Sequence, residues 1–370
     1  MTSERHRGAR GARGSRPAGR YGQPVLPVFD GHNDALTRED HAGIAAGRSA
    51  GHLDLPRMRT GGLRGGIFAV FTPSSRARRR PLTREDGVLE FELAPPVGHA
   101  KAAAHAAAAA GRLVGLERSG ALRIARQIGD VDRARDGDEP PVAVLHLEGA
   151  EAIDPALEAL EMWREAGLRS LGPVWSRPNA FGHGVPFISP SSPDIGPGLT
   201  AEGKALVRRC AQLGILVDVS HLNEAGFWDV ARADVGPVVA SHSAVHSLAP
   251  TSRNLTDEQV DAIGASGGLV GIVFACPFLR ADSADDEDTP LELIAAHARY
   301  VVERIGVEHV ALGSDFDGAT IPAQLGDVAG LPRLLAVFAE AGFTRKEIAA
   351  ISWDNWRRVL AAWWSPSRGD

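Results

Sequence analysis

Lysine and cysteine are scarce in this 370-residue chain, and both shortages narrow its chemistry. Cysteine is confined to Cys210 and Cys276, the first in a helical pattern and the second at the end of an apolar run. With no paired-cysteine motif, a disulfide scaffold and a cysteine-held metal are set aside, and the two thiols are expected to be buried packing residues. Lysine occurs only as Lys101, Lys204 and Lys346, none of them closing an apolar run. Also missing are any apolar stretch long enough to cross a bilayer and the short apolar core of a secretory signal. The chain is therefore expected in the cytoplasm, with no membrane partner. A formal net charge of -6 supplies no basic surface, so nucleic acid is not expected as a partner either.

What is present is an ordinary globular composition, with 44% hydrophobic and 23% charged residues. Basic residues gather at one end, where Arg5, Arg7, Arg10, Arg13, Arg16 and Arg20 stand among Gly, Ala and Ser. That segment has nothing apolar to bury. Residues 1–24 are expected to be a disordered basic tail and residues 25–370 a single domain.

The remainder alternates short apolar runs with helical patterns. Runs begin at Val28, Gly66, Pro141, Leu168, Gly214, Gly236, Gly268 and His309, each followed by a segment of helical character. A long helix is expected around Ala102 to Ala110, continuing towards Ile124 and Ala125, and another from a Thr200 cap to Gly214. The Pro-, Gly- and Ser-rich stretch from Ser176 to Gly198 is too long for a plain connector and is expected to be a functional loop. The runs Arg76 to Arg80 and Asp282 to Asp288 are expected to be solvated loops. Strands that stay apolar throughout belong to a parallel sheet covered on both faces. Eight of them alternating with helices predict a (β/α)8 barrel of the TIM type.

In such a barrel the active site lies at the C-terminal ends of the strands. His32 and Asp34 end the first run, Glu148 the third, His221 the fifth, His242 the sixth and Asp315 the eighth. His32 and Asp34, two positions apart, reach one point from a single strand end. Three imidazoles and three carboxylates exceed what one open zinc site uses, so two metal ions sharing a bridging ligand are expected. With no lysine at a strand end to be carboxylated, the bridge must be a carboxylate. Glu148 fits best, on a strand between the two groups and beside Gly149, which permits close approach. His146 points the same way and is expected to be a core histidine. A metal pair lowers the pKa of a bound water and polarises a carbonyl, which implies hydrolysis. Asp315, not needed as a ligand, is the expected acceptor of the water's proton and its donor to a leaving amine.

The segments Asp30-Gly31-His32-Asn33-Asp34, Glu148-Gly149, Ser220-His221, Ser241-His242-Ser243, Arg253-Asn254 and Asp315-Phe316-Asp317-Gly318 resemble the membrane (renal) dipeptidase family, peptidase family M19. The likeness runs from about Val28 to Leu360 in the family's order and includes Asp354-Asn355. It implies a binuclear zinc barrel of the metal-dependent amidohydrolase type that cleaves dipeptides. It further implies one zinc on His32 and Asp34, a second on His221 and His242, and Glu148 bridging both. Arg253 matches the residue that holds the substrate's terminal carboxylate, a task suited to a guanidinium fork.

One position departs from the family pattern. Trp175 stands where many members carry a histidine that contacts substrate. Trp175 is expected to wall the substrate pocket, and His183, in the loop beyond, is the candidate to take over the histidine's task. Two other readings stay open: a hydrolase on the same barrel acting on N-acyl amino acids or lactams, and a non-catalytic ligand-binding barrel. The second requires a broken ligand position, and none is broken. Trp353 and Trp356 are expected to pack a closing helix on the barrel, while Trp363 and Trp364 offer a surface for a homodimer.

Overall fold

A computed structural model describes residues 26–74, 81–83, 88–91, 93–137 and 139–364. The basic tail and the Arg76 to Arg80 run lie outside the described residues. Eight parallel strands form the wall of the described chain: β1 (Val28–Asn33), β2 (Leu63–Phe71), β3 (Val142–Glu148), β4 (Leu168–Gly172), β5 (Leu216–Val217), β6 (Val239–Ser243), β7 (Leu269–Ile272) and β8 (Val310–Leu312). Every residue of β3 is buried, as a strand covered by barrel interior on one side and helices on the other must be. Strands β1 to β5 pair in chain order, and so do β6 to β8. Single bridges from Asp218 to Val239 and from Asn33 to Phe316 join the two sheets and close the ring. The fold is the (β/α)8 barrel. Its register sets Phe71, Glu148 and Gly172 in one line at the C-terminal rim.

The barrel interior is tightest around the Ser241 carbonyl. A methyl built on Gly31, Gly271 or Gly313 would lie 2.5, 2.0 or 1.9 Å from that oxygen, so glycine is what lets β1, β7 and β8 approach β6. Gly313→Ala is expected to cost about 3 kcal/mol, because the obstacle is backbone and cannot swing aside. The check is the midpoint of chemical unfolding; an unchanged midpoint would mean the strands part without cost.

Several helices start where the sequence supplies caps. Thr200 accepts from Gly203 N at 3.0 Å to open Ala201–Gln212, and Asn223 accepts from Gly226 N at 2.9 Å to open Glu224–Ala233. The long helix departs from expectation at its far end. It runs His99–Arg118 and stops before Gly120, whose φ of +74° a helix does not allow. The chain then forms a short strand, Arg123–Ile124, beside β3 and a separate helix, Ile128–Arg135. The loop from Ser176 to Gly198 contributes Ile188–Ser189 to a small antiparallel sheet with Leu89–Phe91 and Pro81–Thr83.

The closing helix Asn355–Trp364 is locked onto the barrel by its own polar groups. Asn355 Nδ2 donates to Val307 O and Val310 O at 2.7 Å each, and Trp356 Nε1 donates to Leu312 O at 2.9 Å. Trp353 and Trp356 pack against Phe29 at 5.7 and 5.8 Å. Trp363 is only 5% exposed and donates to Pro237 O, and Trp364 donates to Arg169 O. Trp363 is thus buried against the barrel, while Trp364 stays half-buried. Cys210 and Cys276 are free and buried. No helix among the described residues is long and apolar enough to cross a membrane.

Candidate active site

The ends of β1 and β8 zip together to build one side of the site. Asp315 N donates to His32 O at 3.0 Å and Asp34 N donates to Phe316 O at 2.8 Å. Below them the Asp30 carboxylate accepts from Ser314 N at 2.7 Å and Ser314 Oγ at 2.8 Å. Beyond β8 the chain turns sharply, with Asp315 and Asp317 at φ +59° and +71°. Asp317 anchors that turn by accepting from His52 N at 2.6 Å and pairing with the buried Arg48 guanidinium. A methyl on Gly318 would fall 2.2 Å from Asp315 Oδ1 and 2.3 Å from Asp34 Oδ2. Glycine there lets both carboxylates face the same space.

The other strands aim imidazoles at one oxygen. His221, His242 and His32 place their Nε2 atoms 2.9, 3.6 and 3.7 Å from Glu148 Oε1, and Asp34 Oδ2 is 3.7 Å from His32 Nε2. The Nε2 atoms of His221 and His242 face each other at 3.1 Å. Ser241 Oγ donates its one proton to Asp218, so it accepts from His242 Nδ1 at 2.8 Å. That bond leaves the His242 Nε2 lone pair directed inward, the arrangement outer partners impose on metal-binding imidazoles. His221 Nδ1 is likewise engaged outward, with Ser176 Oγ at 2.9 Å. Both ring nitrogens of His32 and Oδ1 of Asp34 are buried without a hydrogen-bond partner. Buried polar atoms crowded together and left unpaired are what a divalent cation satisfies once His32 gives up its proton, so the residues present fit metal. Candidate ligand atoms of Glu148, His221 and His242, and of His32, Asp34 and Glu148, each lie within 4.8 Å of one another.

The electrostatics agree. Burial alone lowers the His32 pKa, but Glu148, Asp34 and Asp315 outweigh it and push the imidazole up to about 10. Burial raises Glu148 well above the usual carboxylate range, and raises Asp315 to about 7 despite His32, with Asp34 adding to the rise. Burial holds His221 and His242 well below the ordinary imidazole value, with Arg253 among the charges adding to it. Two of the imidazoles, His221 and His242, are therefore kept neutral, while the third, His32, holds a proton beside the carboxylates. His146 is fully buried, bonds Ser170 Oγ at 2.9 Å and is driven down to about 3 by burial, in keeping with a core histidine.

A cavity of about 1050 Å³ opens over this rim, with Asp34, Glu148, His221 and Asp315 in its lining. Trp175 lies on its wall, 5.7 Å from the His221 ring. His183 is half-buried in the loop and is not part of the lining. Arg253 is 3% exposed and sits beneath the lining, donating to Ser243 Oγ and His242 O at 2.9 Å each, while its Nε has no partner. Burial lowers its pKa to about 10. The acidic run after β7 proves to be more than a solvated loop, since Asp285 and Glu287 reach the cavity mouth. Sequence reasoning missed the aromatic lining of Phe71, Phe91, Phe187 and Phe278, and the Asp218, Ser241 and Ser176 groups that orient the imidazoles. A signal for Asp218 existed: a carboxylate inside an apolar run, in phase with Ser220.

A parallel barrel with histidines and carboxylates converging at its C-terminal rim is an arrangement suited to metal-dependent hydrolysis. The family model for membrane dipeptidases, peptidase family M19, matches residues 23–364. A Klebsiella pneumoniae protein described from the pqqA 5′ region is 47% identical over 246 residues, covering 66% of this chain and 90% of that protein. A metallo peptidase from Rhodobacter sphaeroides, liganded with a phosphinate mimic of the dipeptide L-Ala-D-Ala, matches with a TM-score of 0.87 at 42% identity, over 92% of this chain and 100% of that one. The dipeptidase AC, a metallo peptidase of family M19, matches with a TM-score of 0.86 at 43% identity, over 93% of this chain and 100% of that one. The chain belongs to the membrane dipeptidase family, whose members are metal-dependent hydrolases.

Proposed function

We propose that this protein is a dipeptidase holding two zinc ions, one on His32 and Asp34, the other on His221 and His242, with Glu148 bridging. The observation that carries this is the convergence of three imidazole Nε2 atoms, at 2.9, 3.6 and 3.7 Å, on the single oxygen Glu148 Oε1. When bound, such ions polarise the scissile carbonyl and make a neighbouring water acidic enough to attack at neutral pH. Asp315, on the cavity wall beside Asp34, accepts the proton of that water and returns it to the nitrogen of the leaving amino acid. Arg253, buried beside the Phe278 ring of the cavity wall with donors to spare, takes the terminal carboxylate. A buried guanidinium with an unpaired Nε is costly until an anion meets it, which supports that role. Trp175 walls the pocket and excludes water from the reacting groups.

The test is elemental analysis together with amine release from a panel of L,L and L,D dipeptides, on the protein as purified, after chelation and after zinc is restored. About two zinc ions per chain and zinc-dependent cleavage are expected. The same titration run in weak buffer at pH 7 gives an independent reading. His32 carries a proton at that pH, and a ligating imidazole must give its proton up, so zinc binding is expected to release protons and to weaken as pH falls. Loading without proton release, or a single ion per chain, would contradict the assignment.

A further inference from the structure

The cavity carries an aromatic face centred on Phe187. That ring meets Trp175 edge-on at 5.6 Å and 69°, and lies nearly parallel to Phe278 at 5.9 Å and 21°. At one end the face adjoins the metal-ligand cluster, with His221 6.4 Å from Phe187. At the other end the Arg253 guanidinium carbon is 5.6 Å from the Phe278 ring centroid. The backbone fixes Phe187 in place, because Phe91 N donates to Phe187 O at 3.0 Å and Val185 N donates to His221 O at 2.9 Å. Phe187 and Phe278 are half-buried, and both line the cavity.

In a dipeptide, a single residue separates the scissile carbonyl from the terminal carboxylate. With the carbonyl at the His221 end and the carboxylate at the Arg253 end, that residue is the C-terminal one, and the two rings link the anchors, Phe187 lying 6.4 Å from His221, Phe278 5.9 Å further on and Arg253 5.6 Å from Phe278. Neither ring supplies a hydrogen-bond partner. A glycine gains nothing from such a wall, and a charged side chain surrenders water without compensation. We propose that the C-terminal residue of the preferred dipeptide is large and apolar, aromatic foremost, and is recognised on Phe187 and Phe278. This rests on the dipeptidase assignment above.

The experiment uses the full-length zinc-loaded protein and compares kcat/KM for Ala-Phe, Ala-Leu, Phe-Gly and Ala-Gly. Ala-Phe is expected to exceed Ala-Gly by about a hundredfold, with no comparable gain for Phe-Gly. In Phe187→Ala and Phe278→Ala the Ala-Phe to Ala-Gly ratio is expected to fall about tenfold. Phe187→Leu keeps bulk and loses the flat ring, so it is expected to lower the Ala-Phe to Ala-Leu ratio even if the alanine variants fold poorly. Calorimetry with the free amino acids reads the same contact without turnover: phenylalanine is expected to bind about tenfold tighter than glycine, with the difference lost in the variants. Equal cleavage of Ala-Phe and Ala-Gly, or a gain confined to Phe-Gly, overturns the inference and leaves the dipeptidase assignment standing. Failure of the two-zinc protein to cleave any dipeptide removes both.

Discussion

Asp315→Asn is expected to lower kcat by about a thousandfold while the protein keeps its full complement of metal. The proposed ligand set of His32, Asp34, Glu148, His221 and His242 is complete without Asp315, and asparagine preserves the volume and one acceptor oxygen of the native side chain. What asparagine cannot do is take a proton. Asp315 is held for that task by a backbone bond to His32 O at 3.0 Å and by a turn in the left-handed region, both of which tolerate asparagine. The sign of the pH dependence follows. Burial raises the Asp315 carboxyl to about 7 before any cation is bound, and an acceptor works only when ionised, so the rate falls as pH drops through its pKa. Bound cations favour the ionised form, which places the acid limb of the loaded enzyme below 7. Elemental analysis of the variant and its rate profile against pH are the checks. A loss of less than tenfold, or loss of activity and metal together, would remove Asp315 from the proton path.

The barrel was legible because its strands are apolar along their whole length and end in residues that an apolar run does not otherwise carry. His32, Glu148, His221 and His242 each stand at such an ending, and the parallel order of the strands, closed by the bridges at Asp218 and Asn33, brings those endings to one rim. Less legible were the strand lengths. The run from Gly214 to His221 yields only Leu216–Val217 as regular strand, with Asp218 adding a single bridge to Val239 before the chain turns at Ser220. The run ending at Gly318 likewise gives Val310–Leu312 and then a turn whose positive φ angles no periodicity reveals. The helix expected to reach Ile124 ends at Arg118, since alanine propensity says nothing about the left-handed turn at Gly120. The aromatic face was hidden for a different reason. Phe71 and Phe91 end strands, Phe187 sits in a loop and Phe278 on the short helix Cys276–Leu279, and only the closed barrel gathers them.

Arg253→Met is expected to lower kcat/KM for dipeptides by about a hundredfold, mostly through KM, because it removes a charge-assisted contact to the terminal carboxylate that substrate and transition state share. Methionine is apolar and long enough to fill much of the space, so the change does not leave a lone buried donor behind. A rival account is that Arg253 merely ties β6 together, since it donates to Ser243 Oγ and to the carbonyl of His242, itself a proposed ligand. The two accounts separate on a substrate whose C-terminus is an amide. If Arg253 grips the carboxylate, native protein should prefer the acid over the amide by about a hundredfold and the variant should treat them alike. If it is only a tie, acid and amide lose activity by the same factor and the metal content falls with them. The buried Nε without a partner argues for the first outcome, because a group kept desolvated and unpaired destabilises the resting protein, and binding an anion offsets that cost.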